Sequence, residues 1–274
     1  MPPKLGLLAG GGVLPARLIE ALHAGGRDLF VIALEGHCDP ETVAGVAHVW
    51  ARLGAASDIL DRLHRENVSE IVFAGRVRRP SWTELRPDWR AAKFLTRIVT
   101  KAIGDDGLLR AVSAGLEEEG FRVVAVQDLL SDLLVGEGPV GSWSPDIDAE
   151  ADIARGIEVA RGLGVLDVGQ AVVVQQGLVL GVEAIEGTDA LINRCGALRR
   201  EGPGGVLVKM RKPKQDHRLD LPTIGETTVA QAAAAGLRGI VVEAGGSLIL
   251  GRAAVAAAAD RVGLFVIGVK VQQP

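Results

Sequence analysis

Apolar residues along the chain gather into short runs rich in β-branched side chains, each followed by a stretch of different period. Lys4–Ala9, Leu29–Leu34, Glu70–Ala74 and Arg122–Val126 read as strands, with helical spacing between them. Such alternation predicts βαβ units and a mainly parallel sheet, whose strands are buried on both faces and so read as continuous apolar runs. The pattern stops at GEGPVGSWSP, residues 136–145, where three glycines and two prolines leave no period. A linker is expected over 136–146, between a Rossmann-like domain at 1–135 and a mixed α/β domain at 147–274. That second half predicts a helix from about Asp148 and strands at Ala171–Val174, Leu178–Val182, Val206–Met210, Gly239–Val242 and Leu264–Val271. Between the first two of these, Gln176-Gly177 suits a hairpin turn, since Gly177 supplies a positive φ.

With 274 residues, 48% of them apolar, the chain can fill more than one core. Cys38 and Cys195 stand far apart in no metal-ligand spacing, which fits buried thiols in a reducing compartment. Met1–Gly12 lacks the charged and apolar regions of an export signal, so a cytoplasmic location is expected. Ala253–Ala259 falls far short of the roughly 20 residues that cross a bilayer. A net charge of −4 and no tyrosine argue against nucleic acid as a partner.

The segment LLAGGGVLPARLIEAL is a strand, a loop of Gly10, Gly11 and Gly12, and a helix, an arrangement that brings backbone N–H groups and a helix N-terminus to a phosphate. Glu35 ends the next strand where a ribose-binding acid would sit, while Pro15 stands where a dinucleotide fingerprint wants glycine. The loop therefore leaves open an NAD-dependent oxidoreductase and a plain tight turn with Pro15 in the first helical turn. Between Arg76 and Lys101 eight basic residues face only Glu84 and Asp88. If Asp88–Ile103 is helical, Arg86, Arg90, Lys93, Arg97 and Lys101 form one stripe with Trp82, Trp89 and Phe94 nearby. The stripe suits anionic lipid headgroups, and equally a solvated face, so a non-catalytic lipid-binding protein stays open too.

Asp105 and Asp106 sit between Gly104 and Gly107 before a helical run, Leu108–Glu118, as helix caps or as carboxylates facing a cleft. The densest chemistry lies in the second half. Glu183, Glu186 and Asp189 follow one strand, and Lys209, Arg211, Lys212, Lys214, Asp216, His217, Arg218 and Asp220 follow another. Ligands of open α/β sheets collect at carboxyl ends of strands, so these acids and bases could share one rim. Carboxylates that hold Mg²⁺, with Lys or Arg to neutralise oxygens, are what pyrophosphate hydrolysis requires.

Five segments, AGGGVLP at 9–15, IGDDGLL at 103–109, VEAIEGTDALI at 182–192, VLVKMRKPKQDHRLDLPTIG at 206–225 and VEAGGSLIL at 242–250, together resemble the UDP-2,3-diacylglucosamine pyrophosphatases of lipid A synthesis, the type unrelated to metallophosphoesterases. The resemblance implies a Rossmann-like domain, a C-terminal domain of its own type that carries catalysis, and a glycolipid lodged between them. It implies hydrolysis to UMP and 2,3-diacylglucosamine 1-phosphate (lipid X), with water attacking the α-phosphorus and Mg²⁺ or another divalent metal assisting. Asp220 in RLDLPTIG would be the essential acid, Asp216 a metal ligand or water-orienting base, and Lys209 a catalytic cation. Asp216, Asp220 and Glu186 would hold the metal. Gly11, Gly12, Val13, Gly75, Arg76, Asp105, Asp106, Thr188, Arg218 and Thr223 would contact substrate. The expected partners are the UDP-lipid and the inner membrane surface, touched peripherally; a homodimer stays open.

Overall fold

The computed structural model describes residues 2–78, 86–92, 105–213 and 216–271. They form two compact units. The first unit contains residues 1–131 and, from far along the chain, Asp216–Asp220. Its strands β1 (Leu5–Ala9), β2 (Leu29–Leu34), β3 (His48–Ala51), β4 (Glu70–Ala74) and β5 (Arg122–Val123) make one sheet in the order β3-β2-β1-β4-β5. Every pair is parallel. In β2 all six residues are buried, which is why it reads as an unbroken apolar run.

Helices α1 (Val13–Ala24), α2 (Ala56–Arg65) and α3 (Asp105–Glu118) provide the crossovers among the described residues. One core of the unit joins Phe30, Ile32, Leu60, Leu63 and Ile71 to Leu116 of α3, Phe121 and Leu219. Residues 89–92 are helical. Asp88 caps them, accepting from the Ala91 N–H at 2.8 Å, and also accepts from the Ser57 N–H at 2.7 Å, tying that turn to the start of α2. Burial pushes the Asp88 carboxyl up, but these and further hydrogen bonds outweigh it and hold the group below its ordinary value.

The second unit takes residues 132–215 and 221–274. Its elements are β6 (Gly138–Pro139), α4 (Ile147–Val165), β7 (Ala171–Gln175), β8 (Leu178–Val182), α5 (Gly187–Gly196), β9 (Val206–Lys209), β10 (Thr223–Gly225), α6 (Glu226–Ala234), β11 (Gly239–Glu243), β12 (Leu248–Leu250), α7 (Arg252–Val262) and β13 (Phe265–Val269). A six-stranded sheet runs β6-β13-β11-β9-β7-β8, and β10 pairs with β12 apart from it. The centre, β13, β11 and β9, is parallel, and β6, β7 and β8 join antiparallel. The sheet is thus mixed, as its hairpin predicted.

Alternation assigns the two faces. Val172, Val174, Val206 and Val208 meet Ala149, Ile153 and Ala160 of α4, whereas Val173, Leu207 and Ile240 meet Leu191, Val229, Val255 and Ala259 on the other side. Helix α4 lies close because Gly156 has no side chain: a Cβ there would stand 2.4 Å from Val208 Cγ2.

Three features differ from the sequence reading. Residues 136–146 are built into the second unit rather than standing apart as a linker. Gly138–Pro139 pairs with β13, and Ser142 donates from its N–H at 2.7 Å and its hydroxyl at 3.0 Å to Asp260. The third helix already includes Asp105–Gly107, ahead of the Leu108 start that apolar spacing suggested. Most important, Asp216–Asp220 lies outside the body of the second domain to which its sequence position assigned it. The chain leaves β9, contributes these five residues to the first unit, and returns as β10.

Candidate functional site

At the carboxyl edge of the first sheet the strand order reverses between β1 and β4, the position where open α/β sheets bind ligands. These strands end level, Ala9 opposite Ala74, and the loops that follow are stitched together. Gly11 and Arg76 exchange two backbone hydrogen bonds, of 2.9 and 2.8 Å. Gly75 adopts φ +96°, and a Cβ on it would lie 2.7 Å from the Gly11 carbonyl oxygen. The His37 ring spans from the Glu35 carbonyl (3.0 Å) to the Arg78 carbonyl (3.3 Å), so the loop after β2 joins the same edge. Gly11 is half-buried in this stitching, while Gly12, Val13 and Arg76 face solvent at the mouth of α1. The structure brings Gly11, Gly12, Val13, Gly75 and Arg76 together here.

Asp216–Asp220 is a strap on the same unit. The Asp216 carboxylate accepts from the Arg218 backbone N–H at 3.0 Å, from its Nε at 3.1 Å and from its terminal guanidinium nitrogen at 2.7 Å. The other arm of Arg218 donates to Glu117 on α3 at 2.6 Å, and the His217 carbonyl accepts from Gln127 at 2.8 Å. Leu219 is 8% exposed in the first core, and Leu221 is 5% exposed where the chain re-enters the second unit. Between these two buried leucines Asp220 is exposed. Hydrogen bonds from Arg218 hold the Asp216 carboxyl below its ordinary value despite burial, and the same bonds raise Arg218. In this structure the Asp216 carboxylate is engaged by Arg218 rather than left open. Arg218, expected on substrate, is spent between two carboxylates. His217 is exposed and contributes through its carbonyl.

In the second unit Lys209 ends β9 with its side chain buried, one donor of its ammonium 3.2 Å from the Thr223 carbonyl. Arg211 follows; its backbone N–H and guanidinium meet Glu243, at the end of β11, at 3.1 and 3.5 Å. Lys212 is buried with Asp167 at 2.7 Å. Glu243 was missed by the sequence reading, although it stands in the VEAGGSLIL segment directly after an apolar run. Thr223 donates its hydroxyl to the Leu221 carbonyl at 2.9 Å, and Thr188 donates its own to Glu183 at 2.6 Å. Both hydroxyls thus have intramolecular acceptors here.

Glu186 belongs to a different corner. It accepts from the Ala184 N–H at 3.1 Å and from Arg194 at 2.9 Å, and these bonds lower its carboxyl, its own backbone N–H most of all. Among the described residues no group of three or more His, Cys, Asp or Glu side chains is placed to hold a metal ion. Of the expected metal ligands, Asp216 and Asp220 lie in the first unit and Glu186 in the second, and Asp216 and Glu186 each pair with an arginine. Asp105 and Asp106 stand in the first described turn of α3. Lys214 and the basic stripe at Lys93, Arg97 and Lys101, with Trp82 and Phe94, lie outside the described residues. Of that stripe's start, Trp89 is 68% exposed, with the Arg90 guanidinium 5.3 Å above its ring. Both cysteines are buried, and burial raises both thiols.

A parallel β3-β2-β1-β4-β5 sheet with glycine loops at its reversal point, in one chain with a mixed α/β unit that carries Lys209 and Arg211 at and just past a strand end, defines a two-unit α/β protein with a candidate ligand edge on its first sheet. Residues 4–133 match the model of the LpxI N-terminal domain and residues 136–267 that of the LpxI C-terminal domain. The chain belongs to the LpxI family. A relative from Caulobacter vibrioides, "UDP-2,3-diacylglucosamine pyrophosphatase LpxI", is 43% identical over 277 residues, covering 98% of this chain and 99% of its own. The solved structure of CobK precorrin-6A reductase, at 14% identity, covers 99% of this chain and 89% of its own with a TM-score of 0.33, too low a likeness to bear on fold or chemistry.

Proposed function

We propose that this protein hydrolyses the pyrophosphate of UDP-2,3-diacylglucosamine to UMP and 2,3-diacylglucosamine 1-phosphate. The observation that carries the reading is near-complete coverage of a relative bearing that name, at 43% identity. Family membership favours hydrolysis over the dehydrogenase and non-catalytic lipid-binding readings that the glycine loop and the basic stretch left open.

In this reading a water oxygen attacks the α-phosphorus, the bond from that phosphorus to the bridging oxygen breaks, and the sugar 1-phosphate leaves. Asp220 orients the water and takes its proton. Its backbone is fixed on either side by a buried leucine, so the carboxylate is presented without a large ordering cost in the transition state. Lys209 and Arg211 supply cations of the kind that phosphate oxygens require, with Glu243 holding Arg211 in place. The loops around Gly11, Gly12 and Gly75 offer backbone N–H groups and the α1 N-terminus to an anionic part of the substrate.

A divalent cation, Mg²⁺ by preference, fits Asp220 together with substrate oxygens, since Mg²⁺ keeps several waters and takes one or two carboxylates. When bound it would neutralise diphosphate charge. No helix among the described residues is long and apolar enough to cross a membrane. We further propose reversible contact with the cytoplasmic face of the inner membrane through the basic stretch around exposed Trp89.

The test is direct. Purified protein with Mg²⁺ and the UDP-lipid should release UMP, and in H₂¹⁸O the label should enter UMP. Label in the sugar phosphate would move the attack to the other phosphorus, and no turnover with or without metal would overturn the reading. Sedimentation with anionic and neutral vesicles tests the membrane contact, which requires binding to the anionic ones alone.

A further inference from the structure

The five-residue strap is held more firmly than an exposed loop needs. Asp216 accepts the Arg218 backbone N–H, closing a tight turn, and Leu219 donates back to the Asp216 carbonyl at 3.0 Å. Arg218 forks between Asp216 and Glu117, at 2.7 and 2.6 Å. Gln127 fixes the His217 carbonyl, and Leu219 plugs the core beneath. These anchors come from α3 and from the segment after β5, all within the first unit, and Asp220 is the next residue along.

Magnitudes separate two explanations of this clamp. Glu117 is 41% and Arg218 33% exposed, so as an ion pair they contribute little stability. Geometry is another matter, because a displacement of about 1 Å at a reacting group can cost roughly 100-fold in rate. A clamp of small worth to folding and large worth to placement belongs next to a reacting group.

We propose that Glu117, Arg218 and Asp216 are positioning residues for Asp220: the guanidinium, forked between two carboxylates, sets the strap on α3 and with it the direction of the catalytic carboxylate. This rests on the reading of Asp220 as the group that handles the water. It also gives the first unit a share of the catalytic machinery and accounts for Asp216 without asking it to titrate.

The experiment compares Glu117→Gln, Glu117→Asp, Arg218→Lys and Asp220→Asn in full-length protein, measuring kcat, KM and thermal midpoint for each. Glu117→Gln keeps size and loses charge. It should lower kcat at least tenfold with KM within about twofold and little change in midpoint, since the clamp acts on placement more than on binding or folding. Arg218→Lys, which keeps charge and loses the fork, should do the same. Glu117→Asp should recover part of the lost rate. Adding Glu117→Gln to Asp220→Asn should cost nothing further, because the clamp works only through Asp220.

The outcomes are separable. If Asp220→Asn stays fully active, the assignment of Asp220 fails and the clamp has nothing to position. If Asp220→Asn is inactive while Glu117→Gln and Arg218→Lys keep wild-type kcat, the clamp is structural only and the proposal is overturned. Should Glu117→Gln lose its folded transition, Gln127→Ala, which frees only the His217 carbonyl, must lower kcat in a folded protein, and its failure to do so overturns the proposal equally.

Discussion

Two stretches of this chain carry similar densities of acidic side chains and have opposite fates. In the corner after β8, Glu183 is buried and saturated by the Gln170 N–H at 3.0 Å and the Thr188 hydroxyl, and Glu186 is closed off by Arg194 and a backbone N–H. Those carboxylates fasten a hairpin to the first turn of α5. In the strap, Asp216 is fastened in the same way, and Asp220, four residues on, is exposed between two buried leucines. Counting charges does not tell a fastener from a candidate reacting group.

The largest effect expected from this contrast is at Asp220. Asp220→Asn should lower kcat by at least ~100-fold, about 2.7 kcal/mol of barrier, while substrate binding measured by titration persists. A Glu186 substitution of equal severity would erase the contrast. Leu219→Ala should come next, costing about 2–3 kcal/mol in denaturant unfolding because the removed side chain fills the first core. Thr188→Val then takes a donor from buried Glu183 and should cost about 1–3 kcal/mol in the same experiment, with kcat close to wild type in the folded fraction. If that variant is stable but inactive, Thr188 works on substrate after all.

Glu186→Gln should be smaller again, below about 1 kcal/mol, since its partner Arg194 is well exposed. Its kcat and Mg²⁺ dependence should match wild type, and a changed metal dependence would return Glu186 to the site. Last is acid. Asp216 is held below its ordinary value of 3.8, so its contribution to stability is complete above that pH and fades as pH falls through the lower folded value. Between pH 7 and 5 the wild type and Asp216→Asn should therefore keep a constant stability difference, narrowing only in stronger acid.

Much of the architecture was legible because strands buried on both faces write themselves as apolar runs. β2, β4 and β8 end where the runs end, and the Gln176-Gly177 turn has φ values of 54° and 74°, as a two-residue hairpin demands. The strands that escaped notice are short or half-exposed. β3 has one buried residue in four, β10 and β12 have three residues each, and β6 is a glycine and a proline.

Asp220 was proposed from the segment that carries it. The clamp was not legible, because Glu117 and Arg218 meet across 101 positions of chain, and local period holds no information about that encounter. Nor does a leucine inside a charged stretch announce that it completes a hydrophobic interior assembled more than 90 residues earlier. The hydroxyl partners of Thr188 and Thr223 were not legible for a related reason: a hydroxyl near a strand end is free to serve the nearest carbonyl or carboxylate, and here both do.

The excursion of the chain through Asp216–Asp220 has a consequence for anyone cutting the protein in two. A fragment ending near residue 135 follows the family boundary, yet it lacks Leu219 and leaves Leu116, Phe121 and their neighbours with an open notch. Filling such a notch with one leucine stabilises by about 1.5–3 kcal/mol, a sizeable part of what a domain of that length has in reserve. The amino-terminal piece alone should be marginal and sticky, and a short peptide spanning residues 214–222, added in trans, should raise its melting temperature.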